Sequence, residues 1–496
     1  VMTTFVVYRA RWLALLLFCF CVLVNGMLWI AFAPVSDLVA SFFGVRETLV
    51  DLFAVSWNAL YAPGTLLASY LMAQQGLRTV TVLGSCAMAL GAFLRLVGVC
   101  IADSWSSLRL LGYAVTLLGQ VMAGLAQPVF LNAPALLAAT WFGLEERDLA
   151  TALASFCNPL GNALGQLVPP LIVAGDAEDA GSVGGMVTLA LLQAGLSALA
   201  LLGAYALFDD APPSPPSRST QLRQQEFRRS LDSHLREVLG DCQRLLRDWN
   251  FQALLWSFGI GLCAFNSLMT LINQYVAVED YSDDDAGLFG GIFIVCGLAG
   301  ALVAALVMQT TRAYRTIYKT AFVASGGAFV MLILVLRPGR FRLGAMAFGI
   351  LGSIMLSLLP ITIETAVECT YPSSEEVSVG LLFSFGNLLT IPTVFGMEAL
   401  INAHEDYDGT AFTPVNILLL TLAGVAVAIA LLFQGDYKRL AAEYAVIEDM
   451  QANQLSDDEN AVWQSPPIIK VYGGKSGSVD DNFTTALLYG ARSASR

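Results

Sequence analysis

The chain has 496 residues, of which 56% are hydrophobic and 13% charged, and its mean hydropathy is +0.66. Soluble domains carry about 25% charged residues, so this composition excludes most soluble enzymes and indicates a membrane protein. The net charge of −13 argues against a nucleic-acid partner.

Uncharged apolar runs recur along the chain. Residues 12–36 and 110–144, for example, contain no Asp, Glu, Lys or Arg. A helix of about 20 apolar residues crosses the roughly 30 Å hydrocarbon core of a bilayer. The runs predict twelve transmembrane helices, near 12–40, 49–73, 79–101, 109–140, 148–174 and 183–208, then near 251–278, 286–309, 316–336, 343–366, 377–400 and 412–434.

A polar connector, 209–250, separates the two sets of six. After a proline-rich start, its apolar residues recur at helical spacing between arginines, which predicts an amphipathic helix on the membrane surface. Lys and Arg accumulate here and in the loop after span 8, which predicts a cytoplasmic connector and cytoplasmic termini. We expect domains at 1–208, 209–250, 251–434 and 435–496, the last being a disordered tail.

The two sets of spans repeat each other. Residues 140–146, at the end of span 4, align without a gap with residues 370–376, at the end of span 10. The pattern of 52–68 in span 2 likewise matches that of 288–304 in span 8. Two six-helix parallel repeats joined by a long connector predict an all-α integral membrane protein of the major facilitator fold, with the substrate held between the halves.

Polar side chains inside the spans are the candidate ligands of a solute, because lipid-facing polar groups are costly and point into the bundle. Asn25 and Trp29 lie four residues apart on span 1 and share a face. Asn158, Asn162 and Gln166 form a stripe on span 5. Any single amide has the alternative role of an interhelical hydrogen bond, worth about 1 kcal/mol. The predicted substrate-binding residues are Trp29, Asn25, Gln120, Gln127, Asn158, Asn266, Gln274 and Asn387.

Few charges lie within the spans. Glu364 and Glu368 are four apart near the cytoplasmic end of span 10, beside the basic loop that contains Arg312 and Arg315. They suit either a proton relay or a cytoplasmic gate latch formed with those arginines. We favour the latch, because a relay at the membrane midplane should lie deeper. Arg95, near the outer end of span 3, is expected to snorkel to the surface.

No enzyme or cofactor signature emerges from the chain. The nine cysteines include no C-x-x-C pair, so they suggest neither a disulfide framework nor a metal site. A nucleotide-binding loop is absent, which argues against ATP-driven pumping. A membrane enzyme should place His, Asp or Ser clusters in its spans, and none is found. We therefore predict no catalytic activity, no metal and no cofactor.

Several short motifs resemble those of a known family. They are Asn25-x-x-x-Trp29, Gly76-Leu77-Arg78, Trp141-Phe142-Gly143, Asn158-Pro159-Leu160-Gly161 and, most specifically, the run 364–372 with the sequence ETAVECTYP. Over roughly residues 8–440 the chain resembles the feline leukaemia virus subgroup C receptor-related transporters, solute carrier family 49, within the major facilitator superfamily.

The resemblance implies transport of choline, ethanolamine or haem-like solutes. Trp29 matches the family's cavity tryptophan, whose face would hold a quaternary ammonium by cation–π attraction. Three positions depart from the choline-handling members: Asn266 replaces a tyrosine, and Pro159 and Asn387 each replace a glutamine. For haem, the only histidines, His234 and His404, fall in predicted loops, so axial ligation in the cavity would need Met or Cys.

Three hypotheses remain. The chain is an alternating-access transporter for a small polar or cationic metabolite such as choline or ethanolamine, a haem or porphyrin exporter, or a transport-inactive receptor. We expect a monomer with both termini in the cytoplasm, surrounded by membrane lipid in the plasma or endolysosomal membrane, that binds a small-molecule substrate.

Overall fold

The described part of the chain is mostly helical. This computed structural model describes residues 8–143, 146–173, 183–214, 231–311, 313–371, 373, 375–403, 411–439 and 441. Within these ranges there are α-helices, two short 3₁₀ turns and no strand. Arg312, His404, residues 215–230 of the connector and nearly all of the predicted tail lie outside the described residues.

The first half begins with α1 (Ala10–Ile30), a 3₁₀ turn (Ala33–Val35) and α2 (Ser36–Phe43). The helical stretch α3 (Glu47–Ser104) is two spans joined at Gly76, whose φ of +82° breaks the helix. A left-handed φ favours glycine, which has no Cβ. The remaining helices of this half are α4 (Arg109–Gly124), α5 (Gln127–Asn132), α6 (Pro134–Trp141), α7 (Arg147–Val173) and α8 (Val183–Leu207).

The second half follows the connector helix α9 (Leu231–Leu245), which lies within the predicted connector. Its elements are α10 (Trp249–Thr270), α11 (Ile272–Ala277), α12 (Asp283–Thr311), α13 (Tyr314–Val335), α14 (Phe341–Thr370), α15 (Glu375–Asn402) and α16 (Pro414–Leu432).

We call the membrane face that carries the connector the connector face. The opposite face, which carries residues 104–109 and 277–283, is the distal face.

Ten segments of the described chain are long and apolar enough to cross a membrane. The segments 47–75 and 147–173 are also long helices but are not among those ten. The first of them carries Glu47 and Asp51, and the second carries the predicted polar stripe. That these two helices cross the membrane stays a prediction. The domain limits 1–208, 209–250, 251–434 and 435–496 also stay predictions.

Three predicted continuous spans are interrupted in the structure. Span 1 breaks between α1 and α2, span 4 divides into α4, α5 and α6, and span 7 divides at Leu271. Proline explains the first two breaks, since Pro34, Pro128 and Pro134 lack the N–H that would continue the helix ladder. Spans 1, 4 and 7 carry most of the predicted ligands, so the breaks free main-chain groups close to them.

Candidate functional site

Trp29 lies in the last turn of α1, just before the break. This residue is 6% exposed. Because α1 ends at Ile30 and Pro34 has no N–H, the carbonyl groups of this last turn need donors from elsewhere. The position of the Trp29 side chain therefore depends on the groups that hold this non-helical segment.

Two buried side chains supply those donors. Gln120 of α4 donates from Nε2 to the carbonyl oxygens of Leu28 (3.3 Å) and Trp29 (3.2 Å). Arg95 of α3 donates from Nη1 to the Leu28 oxygen at 3.1 Å, and its guanidinium lies 4.4 Å from the ring centre of Phe32. In this structure the amide nitrogen of Gln120 is occupied, so the residue positions Trp29.

The expectation that Arg95 snorkels to the membrane surface is wrong. The residue is 1% exposed and lies among α1, α3 and α4. Its distance from the end of α3 at Ser104, about 13 Å of helix, is too long for the side chain to reach the surface along that helix. The broken helix provides the polar partner inside the bundle that makes burial possible.

Helices α1 and α7 approach closely at glycines. A Cβ on Gly26 would lie 2.5 Å from the main-chain oxygen of Asn158 and 2.9 Å from Oδ1 of Asn162. A Cβ on Gly161 would overlap the main-chain oxygen of Leu23. The glycines therefore bring the predicted polar stripe of α7 against the segment of α1 that carries Asn25 and Trp29.

Buried polar atoms without a protein partner occur on both helices near this contact. Among the described residues, no protein hydrogen bond reaches Trp29 Nε1, Asn158 Nδ2, Asn25 Oδ1 or Asn162 Oδ1. Asn25 uses its other amide atom, Nδ2, to donate to the oxygen of Ala123 at 3.3 Å. Buried polar atoms in proteins are nearly always hydrogen-bonded, so this region has the capacity to bind water or a polar solute.

In the second half the structure brings Asn266 and Asn387 together. Asn266 Nδ2 donates to Asn387 Oδ1 at 3.0 Å and lies 3.4 Å from the hydroxyl of Thr390. Both asparagines are buried. This pair joins α10 to α15. Two predicted ligands therefore form an interhelical hydrogen bond with each other.

The other two predicted ligands are Gln274 and Gln127. Gln274 of α11 donates from Nε2 to the carboxylate of Asp51, at 3.1 and 3.3 Å, near the distal face. Gln127 is half-buried at the start of α5. Sequence reasoning missed Asp51, although Glu47 and Asp51 are spaced four apart at the start of a helix and so share a face.

The predicted gate residues lie near the connector face. Glu368 is buried in the last turn of α14, whereas Glu364, one turn earlier, is exposed. Arg315, at the start of α13, is exposed, and its main-chain N–H donates to the hydroxyl of Tyr437 at 3.2 Å. Because Arg312 is outside the described residues, the latch stays a prediction.

The fold and this broken-helix site are those of a multi-span membrane protein with two packed helical halves. The model of the Major Facilitator Superfamily matches residues 18–391, and the chain belongs to that superfamily. The human choline/ethanolamine transporter FLVCR2 is 29% identical over 456 residues, which cover 91% of this chain and 82% of the relative.

Solute carrier family 49 member A3 of Xenopus tropicalis is also 29% identical, over 88% of this chain and 89% of the relative. The resemblance predicted from the motifs is thereby confirmed. Among solved structures, the xylose transporter XylE of E. coli, in a partially occluded inward open conformation, superposes with a TM-score of 0.61. The superposition covers 86% of this chain and 98% of XylE at 10% sequence identity, so it supports the fold alone.

Proposed function

We propose that the protein moves a small polar or cationic solute across a membrane by alternating access, and that choline or ethanolamine is that solute. The observation that carries the proposal is Trp29: a buried tryptophan at a helix break, held by Gln120 and Arg95, in a chain whose relatives include named choline/ethanolamine transporters. An indole face attracts a quaternary ammonium by about 2 kcal/mol when water is excluded.

The amides supply the polar part of the proposed site. Asn25 Oδ1 and Asn162 Oδ1 are acceptors without a protein donor among the described residues, and both suit a hydroxyl or primary ammonium group. Asn158 would donate from Nδ2. Gln127, Asn266 and Asn387 complete the site from α5, α10 and α15.

Alternating access requires two faces that open in turn. In this structure, side chains of the two halves hydrogen-bond across the distal face, for example Gln274 to Asp51. At the connector face we assign the latch to Glu364 and Glu368 with Arg312 and Arg315. Rocking of the halves would break the distal contacts, whereas the latch lies within the second half and would fix the connector face of that half.

The remaining assignments belong to the same proposal. The protein acts as a monomeric, non-enzymatic carrier with both termini in the cytoplasm, in the plasma or endolysosomal membrane. Its partners are the solute and the surrounding lipid.

The test is flux in proteoliposomes loaded with the purified full chain. Uptake of labelled choline and of labelled ethanolamine is measured for wild type, Trp29→Ala and Trp105→Ala. Trp105 is the matched control, because it is exposed at the distal end of α3. We expect Trp29→Ala to lower choline uptake about tenfold or more, as the loss of 1.4 kcal/mol or more requires, and Trp105→Ala to behave as wild type.

Two outcomes contradict the proposal. Equal loss in both tryptophan variants would indicate a general defect, and absence of amine flux in wild type would reject the solute. A parallel arm with labelled haem distinguishes the porphyrin alternative. Choline binding without flux, measured by calorimetry, would identify a transport-inactive receptor.

A further inference from the structure

Near the distal face, three hydrogen bonds link the two halves, and the acceptor in each is a carboxylate. Asn273 Nδ2 donates to Asp37 Oδ1 at 3.0 Å, and Gln274 Nε2 donates to Asp51. In the third, the hydroxyl of Thr48 donates to Glu398. Each bond joins one half to the other, so the closed distal face is assembled around acidic groups.

Further acids face these three. The carboxyl group of Asp283, at the start of α12, meets that of Asp37 across the junction of the halves. Asp51 faces Glu398, again from the other half, and Glu47 on its own helix. Asp51 and Glu398 are only 2% and 4% exposed, Glu47 and Asp283 are half-buried, and Asp37 is exposed. We call Asp37, Glu47, Asp51, Asp283 and Glu398 the distal acidic cluster.

The positive groups around the cluster do not balance it. Arg46 and Arg109 are exposed, and Arg337 forms an ion pair of 3.6 Å with Glu279. Asp284, next to Asp283, adds a further negative group. Like charges repel most strongly where they are buried, as Asp51 and Glu398 are, so a fully ionised cluster would push the two halves apart.

Two features indicate protons in the closed state. Carboxylates that approach each other, as those of Asp37 and Asp283 do, repel when both are ionised, so the closed arrangement disfavours full ionisation of the cluster. Independently, Oε1 of Gln274 is buried and has no donor among the described residues, although Nε2 of the same amide lies on Asp51. A protonated carboxyl group in the cluster is a donor that would satisfy it.

We propose that the distal acidic cluster is a proton-binding site that forms when the distal face closes and releases its protons when that face opens. The closed conformation therefore takes up protons, and acid favours it. This inference rests on the two-state rocking of the proposed function but on no particular solute, and it adds an ionic linkage to the conformational change.

The test is a distance measurement between the distal ends of the halves, without any solute. Spin labels are attached through an unnatural amino acid at Ser107 and Arg340, both exposed, which avoids the native cysteines. Double electron–electron resonance in lipid nanodiscs then gives the closed fraction between pH 5.5 and 8.5. We expect the ratio of closed to open protein to fall about tenfold per pH unit for each proton released.

Variants assign the effect to the cluster. The neutral and nearly isosteric combination Asp51→Asn, Asp283→Asn and Glu398→Gln should stay closed at every pH. Asp103→Asn, an exposed acid on the same face, should keep the wild-type response. A wild-type distance distribution that does not change with pH would overturn the proposal, as would a response that persists in the triple variant. Failure of choline flux alone would leave it intact, because the distances are measured without solute.

Discussion

Gln120 Nε2 lies 3.2 Å from the main-chain oxygen of Trp29, so a buried amide of α4 holds the turn of α1 that carries the proposed ligand tryptophan. The same nitrogen reaches the oxygen of Leu28. Oε1 of the same amide is buried and has no protein partner among the described residues, so the predicted contact of Gln120 with a solute stays a prediction.

Replacing Gln120 by Met, which keeps the volume, should weaken solute binding through Trp29. Loss of the two hydrogen bonds should cost about 1–3 kcal/mol of stability and raise KM for choline more than it lowers the maximal rate. Both are measured on purified protein, by denaturant titration and by proteoliposome uptake.

The control for this variant is Gln252→Met. Gln252 also donates to a main-chain oxygen, that of Leu246 at 2.8 Å, but at an exposed helix start. Its replacement should change neither quantity by a measurable amount. An unchanged KM in Gln120→Met would show that the Trp29 segment keeps its position without this amide.

The pair Asn266–Asn387 is suited to a double-mutant cycle. Each asparagine is replaced by Ala, singly and together, and the free energy of unfolding is measured in detergent. Since each single variant removes the same bond of 3.0 Å, the double variant should lose less than the sum, by about 0.6–1.7 kcal/mol. Strictly additive losses would mean that the two amides act independently, as separate ligands would.

The sequence predicts the elements better than their interruptions. Spans were predictable because charge-free runs of more than 20 residues have few alternatives. Two breaks lie at Pro34 and Pro128, although the spans that contain these prolines were predicted to be continuous. The break at Leu271 was not predictable, because no Pro or Gly marks it and tertiary contacts decide its main-chain conformation.

The site was predictable by residue type but not by partnership. Asn266 and Asn387 were expected as separate ligands, although they are 121 residues apart and bond to each other. Arg95 was expected to reach the membrane surface. The Leu28 oxygen that accepts its hydrogen bond is free only because α1 ends at Ile30, and the sequence did not reveal this partner. The distal acidic cluster joins carboxylates from α2, α3, α12 and α15, and no local spacing reveals such an assembly.

Gly161 should be intolerant of a methyl group. In Gly161→Ala the new Cβ would overlap the main-chain oxygen of Leu23, so α1 and α7 must move apart at a cost of about 1–3 kcal/mol. Gly424→Ala is the matched control, since nothing lies within 4 Å of its Cβ position in α16. Thermal unfolding should show a lower Tm for the first variant and an equal or higher Tm for the second. Equal Tm values for Gly161→Ala and wild type would contradict the close approach.

Glu279, in the loop between α11 and α12, should make stability depend on pH. Burial raises the pKa of its carboxyl group above the ordinary value and outweighs Arg337, whose guanidinium lies 3.6 Å away. A raised pKa in the folded state means that the folded protein binds this proton more tightly than the unfolded chain. The stabilisation is complete below the ordinary glutamate pKa of about 4.3 and is lost as the pH rises through the raised value.

Glu279→Gln has no carboxyl proton to lose. The free energy of unfolding of this variant, relative to wild type, should therefore increase as the pH rises from about 4 to 8, with most of the change above the ordinary glutamate pKa of about 4.3. Asp209→Asn, which replaces an exposed acid at the start of the connector, controls for general charge effects and should show a flat difference. A difference for Glu279→Gln that shrinks with rising pH would mean that the ion pair with Arg337 outweighs burial and lowers the pKa instead.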